Sequence, residues 1–201
     1  MKRPAVFIDR DGTINEQMGY INHINRFIIL DGTAEAIRIL NRSQFLAIIV
    51  SNQSGVARGY FPIELVNEVH EYMINFLKKE NAFIDGIYFC PHHRGGSVKE
   101  YSIPCNCRKP DTGLISKACE HLSIDMSRSY VIGDRISDIE LSYRANLKGI
   151  LVKTGYGLGD LKYLAPDSPF QPVHVAEDLL HAVRWIMKNE RPGTRLEENE
   201  E

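Results

Sequence analysis

Short apolar runs alternate along the chain with longer stretches whose apolar residues recur at helical spacing. The predicted strands are residues 5–9, 47–51, 86–90, 129–133, 149–153 and 172–175. The predicted helices are residues 32–43, 62–80, 111–122, 137–146 and 176–190. Strands that alternate with helices in this way are typical of an α/β protein with a mainly parallel sheet.

The length of 201 residues suits one compact domain, which we place at residues 1–188. Residues 189–201 are strongly charged and carry no apolar stripe, so we expect a flexible tail there. The net charge of -2 gives no electrostatic basis for binding nucleic acid or an anionic membrane. No apolar run approaches the ~20 residues of a membrane span, and no signal-peptide pattern opens the chain. We therefore expect a cytoplasmic protein, and without heptads we expect a monomer.

Acidic residues follow two of the predicted strands. Asp9 and Asp11 come at the end of the first, and Asp134 and Asp138 come at or after the end of the fourth. An isolated Asp at a strand end often forms only a turn. Because parallel strands place their carboxyl ends at one edge of a sheet, these carboxylates are expected to meet there. Several carboxylates at one site repel each other unless they share a hard cation such as Mg²⁺.

The same edge receives groups suited to phosphoryl transfer. An aspartate can attack phosphorus and form an aspartyl-phosphate, and a second can serve as general acid and base. Ser51 and Asn52 end the second strand and can hydrogen-bond to phosphate oxygens. Lys109 can supply a fixed positive charge. The residues therefore indicate a magnesium-dependent phosphoryl-transfer site.

A second group of candidate metal ligands lies in the loop of residues 90–107. Cys90 and His92 form one closely spaced pair, and Cys105 and Cys107 form another. Three thiolates and one imidazole make a typical closed, structural Zn²⁺ site. The alternative is four unrelated residues, since Cys119 also occurs in the chain, where we expect it on the buried side of a helix. Zinc here would fix the backbone that carries the adjoining cations, Arg108 and Lys109.

Taken together, these motifs resemble those of a known superfamily. The segments FIDRDGT and GDRISD, with the strand-ending Ser51 and the Lys109 of CRKP, resemble the four ordered motifs of haloacid dehalogenase (HAD) superfamily phosphatases. More narrowly, DRDGTIN, SNQSGVARGYF, CPHH…CNCRKP and LVKTGYG resemble the heptose 1,7-bisphosphate 7-phosphatase family. The resemblance covers roughly residues 4–157. It implies a three-layer, Rossmann-like fold with a zinc-binding loop. Superfamily members often carry a cap domain, but only about 40 residues separate Asp11 from Ser51 and most of them belong to a predicted helix, so we expect no cap here.

The resemblance also implies roles for individual residues. Asp9 would be the nucleophile and Asp11 the general acid and base, while Asp9, Asp11 and Asp134 would hold Mg²⁺. Ser51 and Lys109 would stabilise the phosphoryl group, and Cys90, His92, Cys105 and Cys107 would hold Zn²⁺. The substrate-binding positions would be Gln17, Met18, Gly19, Tyr20, Asn52, Gln53, Ser54, Arg108 and Arg135. Arg135 stands where the family has Lys, which makes its direct contact with substrate less secure.

The implied substrate is a small phosphorylated sugar, heptose 1,7-bisphosphate, used in making surface polysaccharides. Two alternatives stay open at this point. Histidinol-phosphate phosphatases have a similar domain with the zinc loop and CRKP, although SNQSGVARGYF favours the sugar phosphatase. A non-catalytic phosphate-binding domain is the other alternative, and the presence of Asp9, Asp11, Lys109 and Asp134 argues against it.

Overall fold

A computed structural model of the chain describes residues 2–190. Its strands are β1 (Ala5–Ile8), β2 (Leu46–Asn52), β3 (Gly86–Cys90), β4 (Tyr130–Gly133), β5 (Lys148–Val152) and β6 (His174–Ala176). Its α-helices are α1 (Thr33–Arg42), α2 (Ile63–Lys79), α3 (Gly113–His121), α4 (Ile136–Arg144), α5 (Gly157–Tyr163) and α6 (Leu179–Asn189). Short 3₁₀ turns cover Ile24–Arg26, Met126–Arg128 and Ala165–Asp167.

The six strands form one parallel sheet in the order β3-β2-β1-β4-β5-β6. Side chains of β1 alternate between two cores. Val6 and Ile8 pack with residues of α1, α2 and α6, whereas Ala5 and Phe7 pack with residues of α3 and α4. Because both faces of the central strands are buried, these strands read as continuous apolar runs. The predicted three-layer, Rossmann-like α/β fold is confirmed.

The reversal of strand order lies between β1 and β4, which are neighbours in the sheet. In open α/β sheets, ligands bind beyond the carboxyl ends of the strands at such a point. Within residues 2–190, the segment between β1 and β2 contains one 3₁₀ turn and α1, and the segment 91–112 contains neither helix nor strand. No described helix has the length and apolar character needed to cross a membrane. The sheet edge therefore carries loops and no separate cap domain.

Three details differ from the predictions. The sixth strand begins at His174, two residues later than expected. Helix α5 was not predicted, because Gly155, Gly157 and Gly159 weaken the helical signal of a seven-residue segment. Cys119 is exposed, because the buried side of α3 is formed by Leu114, Ile115 and Ala118.

The C-terminal part of α6 belongs to the folded domain. Asn189 is its last residue, and the next residue, Glu190, accepts a hydrogen bond of 2.7 Å from the Tyr130 hydroxyl. The flexible tail was predicted to begin at residue 189, but residues 189 and 190 belong to the folded domain. From residue 191 onward the predicted tail lies outside the described residues and stays a prediction.

Candidate active site

A cavity of about 390 Å³ opens at the carboxyl ends of β1, β2 and β4. The predicted site residues that line it are Asp9, Asp11, Gln17, Gly19, Tyr20, Ser51, Asn52, Gln53, Ser54, Arg108, Lys109, Asp134 and Arg135. Met18 is the predicted substrate residue that does not line it. Its side chain packs against the larger core, and its carbonyl accepts a hydrogen bond from Arg26. The fold thus brings residues from distant segments to one site.

Lys109 lies at the bottom of the cavity between two carboxylates. Its Nζ is 2.8 Å from Oδ1 of Asp9 and 2.7 Å from Oδ1 of Asp138. Although burial alone would lower it, the charges of Asp138 and Asp9 raise the pKa of Lys109. Asn52 fixes the lysine backbone, because its side-chain amide donates to the Lys109 carbonyl and accepts from the Lys109 N–H. A permanent cation therefore sits beside the predicted nucleophile.

Three buried carboxylates, Asp9, Asp134 and Asp138, form what we call the carboxylate cluster. Burial raises the pKa of Asp9 to about 7 against the opposing charge of Lys109. Burial and the neighbouring carboxylates also raise the pKa of Asp134 to about 8. Oδ1 of Asp134 is buried and has no hydrogen-bond partner within residues 2–190. Unsatisfied, crowded carboxylate oxygens fit a hard cation such as Mg²⁺.

Asp11 is held differently, by donors on three sides. Nη2 of Arg10 lies 3.0 and 2.9 Å from its two carboxylate oxygens, Asn15 donates at 3.0 Å, and Gln53 donates at 2.8 Å. Burial opposes ionisation, but the Arg10 charge and these hydrogen bonds hold the pKa of Asp11 below its usual value. Since its carboxylate is engaged in this way, the backbone carbonyl of Asp11, which accepts a long hydrogen bond of 3.4 Å from Nε2 of Gln17, is the Asp11 group more available to a cation.

The pairing of Arg10 with Asp11 was not predicted from the sequence, and Arg10 is only 2% exposed. Charged residues are almost never fully buried unless they are paired, so composition and periodicity gave no signal for it. Asp160 was missed for the same reason. Its carboxylate accepts hydrogen bonds from Nε of Arg135 at 3.1 Å and from the Ile136 N–H at 2.8 Å. The Arg135 guanidinium also lies 4.6 Å from the centre of the Tyr156 ring, so residues at α5 orient this cation.

The four predicted zinc ligands come together beside the cavity. Ligand atoms of Cys90, His92, Cys105 and Cys107 lie within 4.8 Å of one another. His92 Nδ1 is 3.3 Å from Cys107 Sγ, and Cys90 Sγ is 3.6 Å from Cys105 Sγ. Tetrahedral zinc with these ligands needs separations of about 3.5–3.8 Å. The sulfur atoms of Cys107 and Cys90 are closer than that, at 3.0 Å, so the cluster has the ligand types that zinc takes but would have to widen slightly to hold the metal. His93 instead contacts Arg58 at 2.9 Å.

The sheet order, the cavity at the strand-order reversal and the carboxylate cluster beside a buried lysine define the class as a HAD-type hydrolase. A family model described as HAD-hydrolase-like matches residues 106–182. That segment begins within the zinc-ligand loop and ends in α6.

Comparison with complete proteins identifies the family within this class of hydrolases. The chain is 38% identical over 191 residues to a D-glycero-beta-D-manno-heptose-1,7-bisphosphate 7-phosphatase of Escherichia coli K12, covering 94% of this chain and 97% of that protein. It is 39% identical to the D-glycero-D-manno-heptose-1,7-bisphosphate 7-phosphatase of Thermosynechococcus vestitus, covering 96% and 100%. The chain belongs to the heptose-1,7-bisphosphate 7-phosphatase family.

A solved structure supports this family assignment. The crystal structure of a D,D-heptose 1,7-bisphosphate phosphatase from B. bronchiseptica, complexed with magnesium and phosphate, superimposes with a TM-score of 0.81 at 26% identity. The match covers 92% of this chain and 99% of that one.

Proposed function

We propose that this protein removes the 7-phosphate of D-glycero-D-manno-heptose 1,7-bisphosphate through an aspartyl-phosphate intermediate, in the synthesis of heptose precursors for surface glycans. The observation that carries the proposal is the convergence of Asp9, Asp11, Ser51 and Lys109 on one cavity. Family membership over nearly the whole chain supports the substrate.

In the first step, a carboxylate oxygen of Asp9 attacks phosphorus, and the bond between phosphorus and the sugar oxygen breaks. Oδ1 of Asp9 already accepts from Lys109 and, at 2.7 Å, from the Arg10 backbone N–H, so the carboxylate is held in one orientation. The cation of Lys109 and the Ser51 hydroxyl stabilise charge on the phosphoryl oxygens.

Asp11 handles the protons in both steps. It gives a proton to the departing sugar oxygen, and then takes one from the water that hydrolyses the aspartyl-phosphate. The lowered pKa of Asp11 favours its ionised form, which is the form that the second step needs. The negative charge of an entering phosphate favours the protonated form, which the first step needs.

Mg²⁺ would be held by Asp9, Asp134 and the carbonyl of Asp11, where it would supply charge neutralisation for the carboxylates and the phosphate. Zn²⁺ at Cys90, His92, Cys105 and Cys107 would be structural. Since Cys107 is directly followed by Arg108 and Lys109, that metal would brace the segment carrying both cations.

The second phosphate of the substrate accounts for further cations on the cavity wall. Arg108 and Arg135 both line it, and Nη1 of Arg108 is buried without a hydrogen-bond partner within residues 2–190. Guanidinium groups pair well with phosphate. The monomeric state and the cytoplasmic location expected from the sequence stay predictions.

The test is phosphate release with Mg²⁺ from heptose 1,7-bisphosphate, fructose 1,6-bisphosphate, histidinol phosphate and p-nitrophenyl phosphate. Wild type should prefer the heptose bisphosphate, and Asp9→Asn should lose turnover of every ester. A preference for histidinol phosphate would keep the chemistry and overturn the substrate. No turnover of any ester would favour a phosphate-binding domain.

A further inference from the structure

A buried polar chain runs behind the cavity and ends at a histidine that the proposed chemistry does not use. Arg10 places two of its nitrogens, Nε and Nη2, against the Asp11 carboxylate. Its remaining nitrogen, Nη1, lies 3.2 Å from Nε2 of His70. His70 belongs to α2. Only 6% of the residue is exposed, so it is too deeply buried to contact the substrate itself.

The chemistry of this contact fixes the state of the histidine. Arginine is a donor only, so Nε2 of His70 must be the acceptor. The imidazole is therefore neutral and carries its proton on Nδ1. Burial and the charge of Arg10 lower the pKa of His70 to about 3, which agrees with that state. The Phe89 ring meets the imidazole edge to face at 5.3 Å and limits its rotation.

The other end of the chain reaches the phosphate-binding position. Nε2 of Gln53 donates to Oδ2 of Asp11 at 2.8 Å and to Oγ of Ser51 at 2.7 Å. Because the Ser51 oxygen accepts from this amide, its own hydrogen is free to point into the cavity. Asp11 is thus held between Arg10 on one side and Gln53 on the other.

We propose that His70 is a positioning residue for proton transfer: by fixing the Arg10 guanidinium, it fixes the direction in which the Asp11 carboxylate faces the substrate. Without the Nε2 acceptor, a buried guanidinium N–H has no partner, and the side chain shifts to find one. Asp11 shifts with it, because the two side chains share hydrogen bonds. Proton transfer is sensitive to such displacements, since donor and acceptor must lie within hydrogen-bond reach.

The inference rests on the proposed function and predicts a dependence on the leaving group. A sugar oxygen departs as a strongly basic alkoxide unless it receives a proton from Asp11. Nitrophenolate is a weak base and departs without that proton. The value of kcat/KM reports events up to the first irreversible step. A misplaced Asp11 therefore lowers kcat/KM for a sugar phosphate far more than for p-nitrophenyl phosphate.

The experiment compares wild type with His70→Leu, which removes the acceptor, and with His70→Gln, whose amide oxygen can replace Nε2. The readout is the ratio of kcat/KM for heptose 1,7-bisphosphate to that for p-nitrophenyl phosphate. Because general acid catalysis contributes about 10²–10⁴-fold, we expect His70→Leu to lower the ratio about tenfold or more. We expect His70→Gln to keep it within about threefold of wild type.

Met73→Ala is the matched control, because Met73 lies one turn along the same buried side of α2. It should lower the melting temperature and leave the ratio unchanged. If His70→Leu does not fold, His70→Asn takes its place, since that polar side chain is too short to reach Arg10.

A folded His70→Leu or His70→Asn with an unchanged ratio of kcat/KM values would overturn the inference. It would also be overturned if the ratio fell as far in His70→Gln as in His70→Leu. The proposed function is tested separately, by the wild-type rate on heptose 1,7-bisphosphate. If wild type prefers another alkyl phosphate, the same ratio measured with that ester still decides the role of His70.

Discussion

Lys109 is the fixed cation of the carboxylate cluster, so Lys109→Met tests what holds this part of the fold together. Its side chain is 3% exposed, and its Nζ lies 2.8 Å from Asp9 and 2.7 Å from Asp138. At an effective dielectric constant of about 20, each contact supplies roughly 6 kcal/mol of attraction before desolvation is subtracted. Removing one partner of a buried ion pair costs about 3–5 kcal/mol. We expect Lys109→Met to lower the free energy of unfolding by about that amount at pH 8 without Mg²⁺.

The loss of unfolding free energy caused by Lys109→Met should be smaller at pH 5 than at pH 8. In the metal-free protein the pKa of Asp9 is raised to about 7 and that of Asp134 to about 8, so both carboxyls are protonated in the fold at pH 5. A carboxyl whose pKa is higher in the folded chain than in the unfolded chain stabilises the fold at low pH, and this contribution is lost as the pH rises. Without the Lys109 charge the pKa values rise further. The free energy of unfolding of Lys109→Met should therefore drop further below that of wild type as the pH rises from 5 to 8.

The assay is urea unfolding followed by circular dichroism at pH 5 and pH 8, in Mg²⁺-free buffer without chelator so that any zinc is retained. Lys117→Met, which removes an exposed lysine of α3, is the control and should behave as wild type. Added Mg²⁺ should restore part of the stability of Lys109→Met, while phosphate release stays at least about 10²-fold below wild type. Equal stability of Lys109→Met and wild type at pH 8 would refute this account of the cluster.

Three further changes test other parts of the site. Cys107→Ala should lower both bound zinc and phosphatase activity, whereas Cys119→Ala should change neither; full activity without zinc would contradict the bracing role. Gly12→Ala should abolish most activity, because its φ is +92° and the added methyl would clash with Oδ2 of Asp134; Gly159→Ala, with nothing within 4 Å, is its control. Because the pKa of His70 is lowered to about 3 in the fold, the unfolded chain binds its proton first as the pH falls. Urea unfolding should then show wild type losing about 1.4 kcal/mol more per pH unit than His70→Gln as the pH falls from about 6 to about 3, and parallel curves would disprove it.

Local patterns were enough to predict most of the fold and the positions of the site motifs. Strand β1 is apolar throughout, and β2 and β4 are apolar up to Val50 and Ile132, because helices cover the sheet on both faces. The residues that follow each strand were therefore identifiable as neighbours before any contact was known. Helix α5 was missed because its glycines suppress the helical signal, and the packing of the chain against β5 compensates for that weakness.

Contacts between distant residues could not be predicted in the same way. Arg10 and His70 are 60 positions apart, Asn52 and Lys109 are 57 apart, and Asp11 and Gln53 are 42 apart. Nothing in a local pattern indicates which buried cation pairs with which carboxylate. The burial that makes those pairs necessary exists only once the chain is folded.

The sequence by itself thus determined the order of the elements, the edge of the sheet where the chemistry collects and the two sets of candidate metal ligands. These depend on hydrophobic period and on short spacings, which are local properties of the chain. Only the tertiary structure decided that Met18 lies outside the cavity, that Cys119 is exposed and that Arg10 is the partner of Asp11. The physical reason is that burial and pairing depend on distances across the fold, which spacing along the chain does not specify.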